Sequence, residues 1–333
     1  MKPTIIYVGL DVDDAQYHGS AFNRDSGEVV AFQCRPTLKG LLVQLGKLSK
    51  HFPGSTITIC YEASYVGYCL QRDLLENGFH CDVVAPTSIP TPRRIAIKTD
   101  RIDAGQLAQY YANDLLTIVQ PPNVEQERDR DLLRTRQNLM KQRTDLRKHM
   151  QSLLRRSGLH YSVQTGNKTH WTKHHYGWLD RTIEGLSGSL KVNLELLLRQ
   201  LKAMNDILDE YEQQIEELAM SPRYEKPVQA LNCYKGIKNI FALTMITEIG
   251  DIRRFVHPRQ LVSWIGMDIR KYSSGGNTTG LASPNRVIVI CARRLSRQTN
   301  AVTEPRESAR ISKSGGRTRN RNLCLLRIAV CVD

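Results

Sequence analysis

Four carboxylates in this sequence are placed for chemistry: Asp11, Glu62, Asp100 and Asp103. Asp11 closes an apolar run from Thr4 to Leu10, and Glu62 closes a second run from Thr56 to Tyr61. Asp100 and Asp103 lie three apart in Lys98-Thr99-Asp100-Arg101-Ile102-Asp103-Ala104, where a helix is expected to begin. Carboxylates at strand ends and on a first helical turn can converge above one end of a sheet. Hard oxygen donors gathered in this way suit Mg2+ or Mn2+, and two such ions about 4 Å apart are a general device for cutting phosphodiesters. Asp13 and Asp14 read instead as solvated turn residues. A second candidate is Ser274, followed by Gly275 and Gly276, which would let a phosphate backbone come close. A serine hydroxyl is a poor nucleophile until a base or a metal activates it. Ser273 and Ser263 compete for the role.

The elements that must position these residues can be read from periodicity. Thr4–Leu10, Tyr17–Asn23 and Val29–Cys34 are strand-like, with Asn23, Asp25, Ser26 and Gly27 in the turn between the last two. Leu38–His51 reads as a helix with Leu41, Leu42, Leu45 and Leu48 on one face. Strand Thr56–Tyr61, helix Tyr65–Asn77, strand Cys81–Ala85, a proline-rich loop and a helix from about Arg101 to Asn113 follow. Three meandering strands and then helix, strand, helix, strand and helix is the order of an RNase H-like α/β fold, expected over 1–115. In that order Asp11 and Glu62 end the first and fourth strands.

From Val124 the pattern turns long-helical. Leu132, Leu139, Leu146 and Leu153 recur every seven residues. A second helix from about Leu190 carries Leu194, Leu197, Leu201, Met204, Leu208, Tyr211, Ile215 and Leu218 at alternating three and four spacing, a coiled-coil seam. The two helices could pair within one chain or between chains, and 116–225 is expected to be a coiled-coil region with an inserted loop at 158–185. That loop is rich in His and aromatic residues: His160, Tyr161, His170, Trp171, His174, His175, Tyr176 and Trp178. Packing of an inserted hairpin is the favoured reading, ahead of stacking on single-stranded bases or a zinc site, which has no cysteine nearby. The arginines of the first helix, Arg128 to Arg156, are interleaved with acids and read equally as a solvated face or a nucleic-acid track.

A compact C-terminal unit is expected over 226–276. Gly236-Ile237-Lys238 should open a helix toward Glu248, with Gly250 at its C-terminal cap. A glycine-rich turn of this helix-hairpin-helix kind can offer backbone N–H groups to phosphate. Arg253, Arg254 and Lys271 are further candidates for phosphate contacts, together with Gly236 and Lys238.

Composition and charge bound the function. At 333 residues the chain is long enough for two or three domains. No apolar run approaches the roughly 20 residues of a membrane span. Met1-Lys2-Pro3-Thr4 leads straight into a strand pattern, which argues against a signal peptide. The eight cysteines form no CxxC pair, as for buried free thiols in a reducing cytoplasm. A net charge of +14 points to a polyanionic partner. It is uneven: residues 277–333 hold eleven Lys/Arg and three Asp/Glu, so eight of those charges belong to the tail.

In order along the chain, Gly9-Leu10-Asp11-Val12, Tyr61-Glu62-Ala63-Ser64 and Lys98-Thr99-Asp100-Arg101-Ile102-Asp103-Ala104 resemble the three acidic motifs of the DEDD-type insertion-sequence transposases, the family that includes the Piv/MooV DNA invertases. Gly236-Ile237, Glu248-Ile249-Gly250-Asp251, Arg254-Phe255, Leu261, Gly266 and Ser274-Gly275 resemble its C-terminal motif. The resemblance covers roughly residues 4–276. It implies a RuvC-like N-terminal nuclease domain, long antiparallel coiled-coil helices and a mainly α C-terminal transposase domain. It implies Mg2+ (or Mn2+) on Asp11, Glu62, Asp100 and Asp103, with Ser274 as nucleophile in a phosphoserine link to DNA. It further implies guidance by a structured noncoding RNA, the bridge RNA, pairing with donor and target DNA. Dimers joining into a tetramer, and action in the bacterial cytoplasm at the nucleoid, also follow from it. Two rival readings are a RuvC-like junction nuclease that uses no serine, and a decayed copy that only binds nucleic acid.

After Gly276 the resemblance stops. The family continues with a basic Gly-Arg stretch, a Lys-x-Gly-Asn turn and a Leu-Arg helix, whereas this chain reads NTTGLASPNRVIVICARRL. Synonymous codons for that segment, with one adenine restored near the Gly276/Asn277 junction, can encode GKHNRFGITKQGNRYLRTAF, which is the family pattern. Residues 277–333 therefore read as an out-of-frame tail, expected to be poorly ordered.

Overall fold

The computed structural model describes residues 4–86, 89, 100–234, 236–264, 270–274 and 277–281. The chain divides into two units, Met1–Pro122 and Asn123–Asp333.

The first unit is built on a six-stranded sheet. Strands β1 (Ile5–Val12), β2 (Tyr17–Asn23) and β3 (Val29–Cys34) form an antiparallel meander. Helix α1 (Leu38–His51), capped at its start by the Thr37 hydroxyl 3.1 Å from the Gly40 N–H, leads to β4 (Thr56–Glu62), which lies parallel to β1. Helix α2 (Cys69–Glu76) leads to β5 (His80–Val84), parallel to β4. Helix α3 (Asp100–Ala112) follows, and a two-residue strand, β6 (Ile118–Val119), closes the edge antiparallel to β5. The order across the sheet is β3-β2-β1-β4-β5-β6. This is the mixed α/β arrangement expected, with β6 lying past residue 115, where no alternation announces a strand. Helix α2 is shorter than Tyr65–Asn77, because Ser64 to Tyr68 form a turn before it.

The period-2 alternation of β1 sorts its side chains cleanly. Ile6, Val8 and Leu10 are fully buried in a core with Leu41, Leu45 and Leu48 of α1 and Leu70 and Leu74 of α2. Tyr7, Gly9 and Asp11 take the opposite face. There Tyr7 meets the ring of Tyr111 on α3 edge to face, with centroids 5.6 Å apart. Gly9 lies against the backbone of α3: a Cβ at residue 9 would sit 2.4 Å from the Ala104 carbonyl oxygen and 2.5 Å from the Ala108 nitrogen.

The second unit is helical at its start. Helix α4 (Val124–Arg156) is N-capped by Asn123, whose side chain accepts from the Gln126 N–H at 2.8 Å. Helices α5 (Tyr161–Thr165) and α6 (Lys173–Glu184) occupy the segment expected to be a loop at 158–185. Helix α7 (Gly188–Ala219) returns antiparallel to α4, fixed by the Arg136–Glu212 ion pair and by Arg143 donating to Asn205 Oδ1 at 3.2 Å. Then come α8 (Glu225–Asn232), α9 (Asn239–Ile249), α10 (Pro258–Trp264) and the hairpin of β7 (Arg270–Ser274) with β8 (Asn277–Leu281). Residues 277–281, at the start of the expected unordered tail, thus form a strand, helped by β-branched Thr278 and Thr279.

The buried line along α4 is not the expected one. Leu133, Met150 and Leu154 are its buried residues, whereas Leu132, Leu139, Leu146 and Leu153 are only partly covered. One residue of offset turns a helix by about 100°, so the contact face passes through Arg136 and Arg143. On α7 the expected Leu194, Leu201, Met204, Leu208 and Ile215 are buried, but Leu198 and Ala219 replace Leu197 and Leu218. Two apolar clusters lie at the ends of the pair, with Met204 and Leu208 buried between them. One cluster joins Met150 and Leu154 to Leu194, Leu198, Leu201 and the inserted helices. The other joins Leu133 and Ile215 to Phe241, Leu243 and Leu261.

The histidine-rich insert is a core element. His175 is 1% exposed, and its ring packs between those of Tyr161, His170, Trp171 and Trp178. Tyr161 and Trp178 are buried with it and so cannot offer faces to bases, while the Trp178 indole N–H donates to Gln164 Oε1 at 2.9 Å.

Two outcomes test these packing arguments. Gly9→Ala should lower stability by about 1–3 kcal/mol, whereas Gly46→Ala on the open face of α1 should raise it by about 0.5–1 kcal/mol; urea midpoints of the full chain measure both, and equal shifts would refute the Gly9 contact. Burial, with a smaller contribution from neighbouring His170, lowers the His175 pKa from 6.5 to about 4. The unfolded chain therefore takes up a proton below pH 6.5 that the folded chain refuses, so this stability is present at neutral pH and lost as pH falls toward 4. The loss at pH 5 should be on the order of 1–2 kcal/mol, and His175→Phe should remove that pH dependence; an unchanged slope would show that His175 does not carry it.

Candidate functional site

The acidic residues of the first unit are positioned by register. Leu10 of β1 pairs with Tyr61 of β4, so the next residues along these parallel strands, Asp11 and Glu62, are neighbours. They also share a face. Gly9 and Cys60, each two residues earlier, both lie against α3, Cys60 with its thiol 4.0 Å from the Leu107 carbonyl oxygen. Helix α3 runs antiparallel to β1: Tyr111 is opposite Tyr7, and Ala104 and Ala108 are opposite Gly9. The next residue of β1 on that face is Asp11, and the next helical turn brings Asp103 and then Asp100. Glu62 is exposed, and Asp11 and Asp103 are partly exposed. The Asp100 side chain lies outside the described residues. Among the described residues no group of three or more His, Cys, Asp or Glu side chains is drawn together as a finished metal site. Asp11, Glu62 and Asp103 nevertheless offer the kind of donor a hard divalent cation takes, carboxylate oxygens in part or fully exposed.

Asp11 lies within β1, paired with His18 of β2, and Glu62 is the last residue of β4. Both strands therefore continue past the apolar runs that announced them, because a strand end above a site need not be apolar. Asp13 and Asp14, the acids that follow Asp11, are exposed, and Asp13 accepts from the Ala15 N–H at 2.8 Å, an ordinary turn contact.

The far end of α3 is tied down by a group that the sequence did not single out. The Tyr111 hydroxyl donates to Asp82 Oδ2 at 2.6 Å and lies 3.0 Å from Thr58 Oγ1, joining α3 to β5 and β4 at once. His80 Nε2 also meets Asp82, at 3.2 Å. Burial, and then the hydrogen bond to Asp82, raise the Tyr111 pKa far above its usual 10, so the phenol remains a neutral donor. The only sequence signal was Asp82 inside an apolar strand, a half-buried charge that gains from a partner.

In the second unit, Ser273 and Ser274 end β7, with Ser274 opposite Asn277 across the hairpin. Gly275 and Gly276, and the side chains of Ser273, Ser274 and Lys271, lie outside the described residues. Ser263 is exposed on α10. Gly236 has a φ of +85° in the turn between α8 and α9, the left-handed conformation a glycine takes without strain, and Lys238 is exposed at the head of α9. Asn239 donates to the Glu216 carboxylate there, which places an acid beside the N–H groups expected to meet phosphate. Gly250 ends α9 at a φ of +67°, as expected. Arg253 is exposed and bound to Asp251, while Arg254 is partly buried against Phe255 and Trp264.

Comparison with known proteins gives two family matches. Residues 8–158 match the DEDD transposases of the IS110 type, and residues 228–304 match the transposase IS116/IS110/IS902 family. The second match runs past Gly276, where the motif resemblance ends. Over 270 residues the chain is 30% identical to the transposase for insertion sequence element IS1533 of Leptospira borgpetersenii, covering 76% of this chain and 73% of that protein. It is 28% identical over 206 residues to the transposase for insertion sequence element IS1111A of Coxiella burnetii, covering 60% of this chain and 55% of that protein. No helix among the described residues is long and apolar enough to cross a membrane.

The tie at the far end of α3 is open to test. Tyr111→Phe leaves the Asp82 carboxylate without its donor and the Thr58 hydroxyl without its acceptor, and should cost about 1–3 kcal/mol by denaturant titration of the full chain. A change below a few tenths of a kcal/mol would mean that water replaces the phenol and that α3 is held by apolar contacts alone.

Proposed function

The chain belongs to the IS116/IS110/IS902 family of transposases, and on that premise we propose that it descends from an RNA-guided serine transposase acting on donor and target DNA. The observation that carries the catalytic part is the shared face of Asp11 and Glu62 under the incoming first turn of α3. The strand order, a meander followed by parallel crossovers, supports an RNase H-like, RuvC-like reading of this unit. Asp11, Glu62, Asp100 and Asp103 would hold Mg2+ or Mn2+, which when bound polarises the scissile phosphate and stabilises the leaving oxygen.

Ser274 would supply the nucleophile. Its Oγ forms a bond to phosphorus as the bond from phosphorus to a deoxyribose oxygen breaks, and the proton passes to the leaving oxygen. One phosphoester replaces another, so the later attack of a strand hydroxyl on phosphoserine needs no nucleoside triphosphate. No Gly-x-x-x-x-Gly-Lys loop occurs in the sequence, in keeping with this. Bridge-RNA guidance and assembly through the long helices as dimers and a tetramer rest on the family resemblance. The change of pattern after Gly276 leads us to read residues 277–333 as out of frame. The helix that should pack behind Ser274 in the family is thereby replaced, and the activity of this copy is weakened or lost.

The experiment is a recombination assay with donor DNA, target DNA, RNA from the flanking element and Mg2+. It compares the chain as it stands, the frame-restored chain, and restored chains carrying Ser274→Ala or Asp11→Asn. Product from the restored chain alone, falling by about a thousandfold or more in either variant, is the expected result. Product from the chain as it stands would refute the damaged tail. Product surviving Ser274→Ala, with Asp11→Asn inactive, would favour a metal-dependent junction nuclease.

A further inference from the structure

The guanidinium of Arg254 is held in an arrangement that its surroundings leave unfinished. Its carbon lies 4.6 Å from the centroid of the Phe255 ring and 4.8 Å from that of Trp264. The two rings are tilted against each other with centroids 5.7 Å apart, so the cation rests on an aromatic corner. Its Nε is buried and has no hydrogen-bond partner among the described residues. The acid nearest in sequence, Asp251, is already engaged: its Oδ1 accepts from both the backbone N–H and the Nε of Arg253 at 3.0 Å. Glu248, the next acid back, is taken by a two-pronged pair with Arg134 at 2.8 Å. Burial of Arg254 and the charge of Arg130 close by both act to lower its pKa, with Asp251 opposing them. Two like charges have been brought together, and the local acids are bound elsewhere.

Such an arrangement costs stability unless an anion completes it. Aromatic stacking fixes the plane of a guanidinium and leaves its edge free for a forked pair of hydrogen bonds, the geometry that fits phosphate. We propose that Arg254, rather than its exposed neighbour Arg253, binds a backbone phosphate of duplex DNA, with the Phe255 and Trp264 rings holding the guanidinium in position. This rests on the transposase reading and names one contact through which the second unit would hold its substrate. A backbone contact of this kind carries no sequence information and positions the duplex.

The test measures binding of the full chain to a 40-base-pair duplex of arbitrary sequence between 50 and 200 mM salt. It compares wild type, Arg254→Met, Arg254→Lys and Arg253→Met. One phosphate contact contributes about 0.9 to the slope of log affinity against log salt. The advantage of wild type over Arg254→Met should therefore shrink by about three- to fourfold across that range. Arg254→Lys should keep the slope while losing affinity, because an ammonium keeps the charge but not the stacked fork. Arg253→Met should bind like wild type. An unchanged slope in Arg254→Met, with or without lower affinity or a lower melting temperature, would overturn the proposal and assign Arg254 a packing role. The same slope change seen only with a 40-base-pair RNA duplex would overturn the DNA assignment. Failure of wild type itself to bind DNA would instead count against the transposase reading.

Discussion

The absence of a side chain at residue 9 governs the arrangement of the first unit. Helix α3 approaches β1 so closely that its backbone occupies the space where a Cβ would stand. Helices usually pack on side chains, which hold the two elements well apart. Here the helix backbone itself meets the strand, and its height above the sheet is set by Gly9 rather than by a compressible layer. Tyr111 then fixes its far end to β4 and β5 through a neutral phenol that bridges Thr58 and Asp82. With one end tied and the middle in contact, the first turn is led toward the ends of β1 and β4. The metal site proposed there would tolerate little error in the separation of its carboxylates, and a hard contact between backbones is a better spacer than flexible side chains.

The second unit solves a different problem. Helices α4 and α7 are long, and an apolar seam along their whole length was expected. The structure instead places apolar clusters at both ends and, between them, polar contacts of Arg136 with Glu212 and Arg143 with Asn205 beside the buried Met204 and Leu208. The Arg136–Glu212 pair, with its carboxylate partly in solvent, contributes little net stability, because water screens it and desolvation of the arginine offsets the attraction. What it supplies is register: an arginine in the contact face has few places where its charge can be met. The same logic holds α9, whose last turn receives Arg130 and Gln126 on the Thr247 carbonyl, at 2.5 and 2.9 Å, beside the Arg134–Glu248 pair. Cationic side chains at a helix C-terminus meet carbonyls that have no partner within the helix.

These two cases also mark what was legible in the sequence. Strand and helix order in the first unit followed from period-2 runs and turn residues, and Asp11 and Glu62 stood out as acids ending such runs. Residues whose role depends on a distant backbone were not legible. Gly9 looked like any glycine in a strand, and Tyr111 like one more aromatic on a helix, since neither reveals its partner by spacing. The line of contact on α4 was misplaced by one residue because leucines at seven-residue spacing outweighed the arginines beside them. Long side chains carry apolar stems that can line an interface while the charge reaches a partner. The helices at 161–165 and 173–184 were hidden because histidine and aromatic residues report chemistry and packing equally well, and here packing claimed them.

Charge is where local geometry most changes a reading drawn from composition. A surplus of +14 suggests a generally adhesive surface, yet eight of those charges fall in 277–333 and many of the others are committed. Arg134, Arg136, Arg223 and Arg253 each face a carboxylate. A guanidinium neutralised by its own chain has little left for a phosphate, since exchanging partners gains only the difference between two ion pairs. Affinity for a polyanion therefore depends less on how many cations a chain has than on which of them its fold leaves unmatched. Arg254 differs from Arg253 on that criterion: it is stacked and partly desolvated, and its Nε has no acceptor among the described residues, where that of Arg253 has Asp251.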